Sequence, residues 1–119
     1  MNLIHDERTV AEIVNDAIET GNLRQNIVAE EAGFPKPNLI YMFKTGKTKV
    51  PLDKAGKLAK ALKLDPYEFW FKCWKEYSPE TLKEFELVNK QPTLTSEEIA
   101  FILKVRSENL SLKDFLKDF

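Results

Sequence analysis

Eight lysines fall between residues 32 and 64, and Asp53 is the only acidic residue among them. Lys36, Lys44, Lys47 and Lys49 lie close together, and Lys54, Lys57, Lys60 and Lys63 follow at helical spacing. Ammonium groups at that density attract anions, and phosphate esters above all. The block carries a net charge of +7, whereas residues 1–31 carry −5 and residues 65–119 carry −3, for a formal total of −1. A basic patch inside an acidic chain predicts one anion-facing surface. The bland alternative is a lysine-rich helix bathed in water, since lysine is mainly a surface residue. It suits Lys54, Lys57, Lys60 and Lys63 better than the first four. No nucleophile–base pair, metal-ligand spacing or phosphate-binding glycine loop occurs, so neither an enzyme nor a cofactor is expected. His5 stands alone near a terminus. Cys73, the only cysteine, sits between aromatics and reads as a small buried hydrophobe.

The elements that must carry these lysines are helical. Val10, Ile13, Val14, Ala17 and Ile18 form an amphipathic stripe, with Gly21 as its C-terminal cap. A second short helix fits 24–32, with Gly33 closing it. The third is expected from Lys36 to Thr45, behind Pro35 and Pro37, because proline is tolerated in the first turn of a helix. The fourth follows Pro51 and buries Leu52, Ala55, Leu58, Ala59 and Leu62. The fifth opens with an aspartate cap, a proline and a glutamate, Asp65-Pro66-Tyr67-Glu68, and carries Phe69, Trp70, Cys73 and Trp74. Ser78-Pro79-Glu80 starts a sixth helix, and Thr95-Ser96-Glu97-Glu98 is a capping box for a seventh. SLKDFLKDF at the end reads as one or two further turns. No run alternates with period two long enough for a strand, so the fold class is all-α.

The second and third helices pass a more specific test. A helix-turn-helix needs a small residue where the two helices touch and a glycine in the turn. Counting from Gln25, Ala29 is fifth and Gly33 ninth. Val28, Ala32, Phe34, Leu39 and Met42 occupy the fourth, eighth, tenth, fifteenth and eighteenth places, where apolar residues belong.

LRQNIVAEEAGFPKPNLIYMFKTGKTKVPLDKAGKLAKALKLDPYEF thus resembles the lambda-repressor-like (Xre) helix-turn-helix domain, over roughly residues 7–75. Gln25 matches the glutamine that opens that family's second helix, AGF its turn, and KLAKALKLD the end of its fourth helix. The stretch FKTGKTKVPLDKAGKLAKAL is similar to small phage or bacterial regulators with a C-terminal helical extension. It departs from the family at Pro35, at Ile40 and Tyr41, and in the spacing Phe43-Lys44-Thr45 before Gly46. The resemblance implies a five-helix DNA-binding domain over 1–77 and an extension over 78–119. It implies a cytoplasmic, sequence-specific transcriptional regulator, a repressor of phage or mobile-element type that binds double-stranded DNA as a homodimer.

In such a reader the third helix enters the major groove. Lys36, Pro37, Asn38 and Ile40 would face the bases, Lys36 towards guanine O6 or N7 and Ile40 towards a thymine methyl, and Tyr41 would reach a base or a phosphate. Gln25 would meet a phosphate at the start of the second helix. Lys44, Lys47, Thr48 and Lys49 would meet flanking phosphates, which makes affinity fall with salt. Phe43 reads as core. The cluster FWFKCWKEY at 69–77 is too aromatic for one helix to bury alone. Trp70, Trp74, Phe85, Phe101 and Leu103 are therefore the expected dimer interface, with Phe115 among the supporting apolar residues. In a competing reading, an antitoxin or anti-host adaptor, the aromatic C-terminal half grips another protein. The longest apolar run, IAFIL at 99–103, is far too short to span a membrane, no signal peptide opens the chain, and a single cysteine suits a reducing compartment.

Overall fold

The computed structural model describes residues 2–108. They form seven helices and, among the described residues, no strand: α1 (Val10–Gly21), α2 (Gln25–Ala32), α3 (Asn38–Lys44), α4 (Leu52–Ala61), α5 (Pro66–Tyr77), α6 (Pro79–Asn89) and α7 (Ser96–Ser107). The expected final turns and Phe115 lie outside the described residues.

Thr9 and Glu12 close a capping box on α1, and Val10, Ile13, Val14 and Ile18 face inward. Gly21 is not the cap. It is the last helical residue, and Asn22 takes the left-handed conformation at φ 49. Asparagine accepts that conformation at low cost. A Cβ on Gly21 would lie 3.1 Å from Leu23 Cγ, so glycine here makes room for Leu23 to fold back. Gly33 behaves as predicted: it caps α2 at φ 79, and Phe34 N donates to Ala29 O at 2.8 Å.

The entrance to α3 differs from expectation. The helix starts at Asn38, not Lys36, and Pro37 is its N-cap. Leu39 N and Ile40 N donate to Lys36 O and Pro37 O in the preceding turn. The later start changes which residues face the core. Ile40 and Phe43 are buried, and Leu39 and Met42 are only half-buried. Phe43 packs edge-on to Phe34, with ring centroids 5.2 Å apart. The apolar positions of the turn motif therefore hold through Phe34 and slip by one residue beyond it.

α4 buries Ala55, Leu58, Ala59 and Ala61, and packs against α2 and α5. α3 packs against α1 and α2. The Asp65 side chain caps α5 as predicted, accepting from Glu68 N at 3.2 Å. Phe69 and Cys73 are fully buried at the centre. Burial pushes the Cys73 thiol up to about 12, away from thiolate chemistry.

The other face of α5 clamps the segment ahead of α1. Glu68 Oε1 accepts from Leu3 N (2.9 Å), and Glu76 Oε1 from Val10 N (2.8 Å). Lys72 Nζ donates to Asp6 O (2.7 Å), and Lys75 Nζ to Ile4 O (3.3 Å). The buried Glu68 and Lys72 are thus supplied with partners, as burial of charge requires.

The packed cluster draws only on residues 3–77. Beyond Ser78, α6 packs on α5 and buries Leu82 alone, whereas α7 buries no residue. The predicted capping box of α7 forms between Thr95 and Glu98. Its first residue is tied back to α5: Ser96 Oγ donates to Asp65 Oδ2 at 2.5 Å, and Ser96 N to Glu68 Oε2 at 3.4 Å. The described chain is elongated, 54 × 29 × 23 Å.

Candidate nucleic-acid interface

Lys36, Pro37 and Asn38 are exposed in the turn and first residue ahead of α3's buried face. Gln25 is half-buried at the first position of α2. Tyr41, 45% exposed, is the outward aromatic of α3. Lys44 Nζ lies 5.9 Å and Lys47 Nζ 5.3 Å from its ring centroid, so one exposed ring gathers two ammonium groups. Ile40 does not join them. It is 0% exposed and belongs to the core, so its expected contact with a thymine methyl is withdrawn. The physical reason is packing: α3 turns Ile40 and Phe43 to the core together and leaves Tyr41 outside.

The loop between α3 and α4 holds Lys47, Thr48 and Lys49. Thr48 is half-buried and both lysines are exposed. Gly46 turns the chain at φ 75, where L side chains are strained. Lys47 N (2.9 Å) and Thr48 N (3.3 Å) both donate to Met42 O. At the far end Val50 is buried, and its N–H donates to Tyr77 Oη at 2.9 Å. Lys49 Nζ lies 5.5 Å from the centroid of the same Tyr77 ring.

Two participants escaped the sequence reading. Lys54, taken as part of a solvated face, is half-buried with Nζ 5.8 Å from the centroid of Phe34, in the α2–α3 turn. Lys57, Lys60 and Lys63 are exposed as expected. Tyr77 was read only as one aromatic among several, yet it anchors the basic loop. A buried tyrosine hydroxyl needs a partner, which is the one signal that pointed beyond packing.

Among the described residues, none of the eight lysines of the block forms an ion pair. Among the described residues, ion pairs join Arg8 to Asp6 (2.7 Å) and to Asp16 (2.9 Å). The bonds from Arg8 hold the Asp6 carboxyl down to about 2. Among the described residues, no three His, Cys, Asp or Glu side chains gather as metal ligands. No helix among them is long and apolar enough to cross a membrane.

The expected dimer residues divide into two groups. Trp70 and Trp74 are half-buried and engaged within the chain. Trp70 packs on the core and donates from Nε1 to Leu52 O at 2.8 Å, and Trp74 meets Phe85 edge-on at 5.1 Å. Within the chain, the aromatic cluster is thus packed in part against the core and against Phe85 of α6. Phe85, Phe101 and Leu103 are exposed, as are Leu87 (70%) and Val88 (68%) of α6. Compared with protein-family models, with curated proteins and with solved structures, the chain matches none.

Proposed function

We propose that the protein is a sequence-specific double-stranded DNA-binding regulator whose first five helices act as a helix-turn-helix domain of the lambda-repressor-like kind. One observation carries the reading. Lysines that form no ion pair among the described residues surround a short α2–turn–α3 unit whose outward residues are Lys36, Pro37, Asn38 and Tyr41. Ammonium groups left unneutralised by the protein are available to phosphates, and neutralising phosphates drives binding to DNA. In this reading Lys36 and Tyr41 read bases. Gln25, Lys44, Lys47, Thr48 and Lys49 hold the backbone and set the register. The role suits a repressor of phage or mobile-element type, cytoplasmic, acting without a cofactor.

A homodimer on an inverted repeat follows from the exposed apolar residues of α6 and α7, which a DNA reader uses to match a two-fold operator. The same residues favour the second reading, in which Leu87, Val88 and Leu103 grip a different protein. Selection of bound fragments from a random duplex pool, repeated with Lys36→Ala and Tyr41→Ala, tests the first reading. It predicts an enriched palindrome, with the base preference relaxed in both variants by about 1–3 kcal/mol. A pool that yields no enriched sequence removes it. Sedimentation equilibrium of the full chain tests the pairing, and a monomer at micromolar concentration removes the dimer.

A further inference from the structure

Tyr77 is the last residue of α5, yet its side chain reaches the loop that carries Lys47 and Lys49. Two independent contacts meet on it. Its hydroxyl oxygen accepts from Val50 N at 2.9 Å, and its ring lies beneath the Lys49 ammonium at 5.5 Å. Space filling alone would be served by phenylalanine. A tyrosine with its hydroxyl turned inward is disfavoured unless that hydroxyl is bonded, and here the bond goes to the backbone beside Lys49. The other end of the loop is held by Met42 O, which accepts from Lys47 N and Thr48 N. Lys49 is thus the residue between two pinned points, an exposed lysine whose ammonium lies over a ring.

We infer that Tyr77 is a positioning residue for anion contact: it fixes Lys49 where a DNA phosphate is met. The inference rests on the DNA-binding reading above. A lysine in solution loses considerable side-chain freedom when it is held at a phosphate. A ring that already confines the ammonium reduces that loss, so part of the affinity attributed to Lys49 belongs to Tyr77. The ammonium is not consumed by the ring, since a cation over an aromatic face keeps its outer donors.

The test is a double-mutant cycle on a fluorescent DNA duplex followed by anisotropy, with Tyr77→Leu, Lys49→Gln and the double variant. Loss of one exposed cation–ring contact predicts a weakening of about two- to fivefold in Tyr77→Leu. In the Lys49→Gln background the same replacement should change affinity no further. Tyr77→Phe keeps the ring and loses the hydroxyl. It should give a smaller loss together with faster hydrogen exchange at the Val50 amide, and it carries the cycle alone if Tyr77→Leu does not fold. Independent, multiplying losses for residues 77 and 49 overturn the inference, as does a Tyr77 variant that melts earlier but binds duplex as the parent does. A parent protein that binds no duplex at any salt overturns the DNA reading itself, and the positioning role with it. A cycle that fails on a protein that does bind overturns the positioning role only.

Discussion

Replacing Ile40 by alanine separates the two views of α3 most sharply. Ile40 is wholly buried and belongs to the same core cluster as Phe34 and Phe43. Truncating a fully buried isoleucine to alanine removes three heavy atoms' worth of burial and leaves a cavity. Such changes cost about 2–5 kcal/mol. α3 is only seven residues long and can close over a void to some degree, which favours the middle of that range, roughly 3 kcal/mol. In a chain of this size each kcal/mol moves the melting temperature by about 4 °C, so Ile40→Ala should melt roughly 12 °C earlier. Leu39→Ala, at a half-buried position, should cost distinctly less. The assay is thermal unfolding by circular dichroism, with urea titration to confirm that the slope is unchanged. An Ile40→Ala protein that melts with the parent but has lost duplex affinity would refute the reasoning. It would return Ile40 to the outer face and α3 to the register expected from the turn motif.

Further outcomes follow from the clamp on the N-terminal segment. Glu68→Ala removes the acceptor of Leu3 N and of Ser96 N, and should cost about 2–3 kcal/mol, because hydrogen bonds to a charged group are the stronger kind. Hydrogen exchange should then rise at Leu3 and Ser96 together, and an unchanged Ser96 amide would contradict its bond to Glu68. The Asp6 carboxyl is depressed from its ordinary 3.8 to about 2, chiefly by the bonds from Arg8. A depressed acid stabilises the fold above its unfolded value, and that contribution is lost as pH falls through the folded one. Unfolding monitored between pH 4 and pH 2 should show stability declining across that window, and Asp6→Asn should flatten the decline.

Much of this architecture is legible in the chain because its signals are local. Asp65 and Thr95 each sit three residues ahead of a glutamate, and each caps the helix expected of it. Gly33 ends α2 because only the left-handed conformation lets the chain turn there. The entrance to α3 is different. Proline suits either the first helical position or the cap before it, so Pro35 and Pro37 leave two starts equally acceptable. The choice is made by packing: with the helix begun at Asn38, Ile40 and Phe43 both reach the core, and Phe43 meets Phe34. No local pattern encodes that preference. The lysine–ring contacts were hidden for a related reason. Lys49 and Tyr77 belong to different elements, and Val50 is 27 residues from the hydroxyl that receives its N–H. The coverage of Trp70 and Trp74 likewise depends on where α6 turns back after Ser78, which composition does not specify.

The central claim is that the lysines around the α2–α3 turn, which form no ion pair among the described residues, meet the phosphates of duplex DNA. Anisotropy of a labelled duplex, titrated with protein across a range of salt, tests it most directly. If Lys44, Lys47 and Lys49 each neutralise a phosphate, the logarithm of affinity should fall against the logarithm of salt with a slope of about −3 per chain. Lys47→Ala and Lys49→Ala should each make that slope shallower by about 0.9. An affinity that does not change with salt, or a duplex that is never bound, would contradict the account.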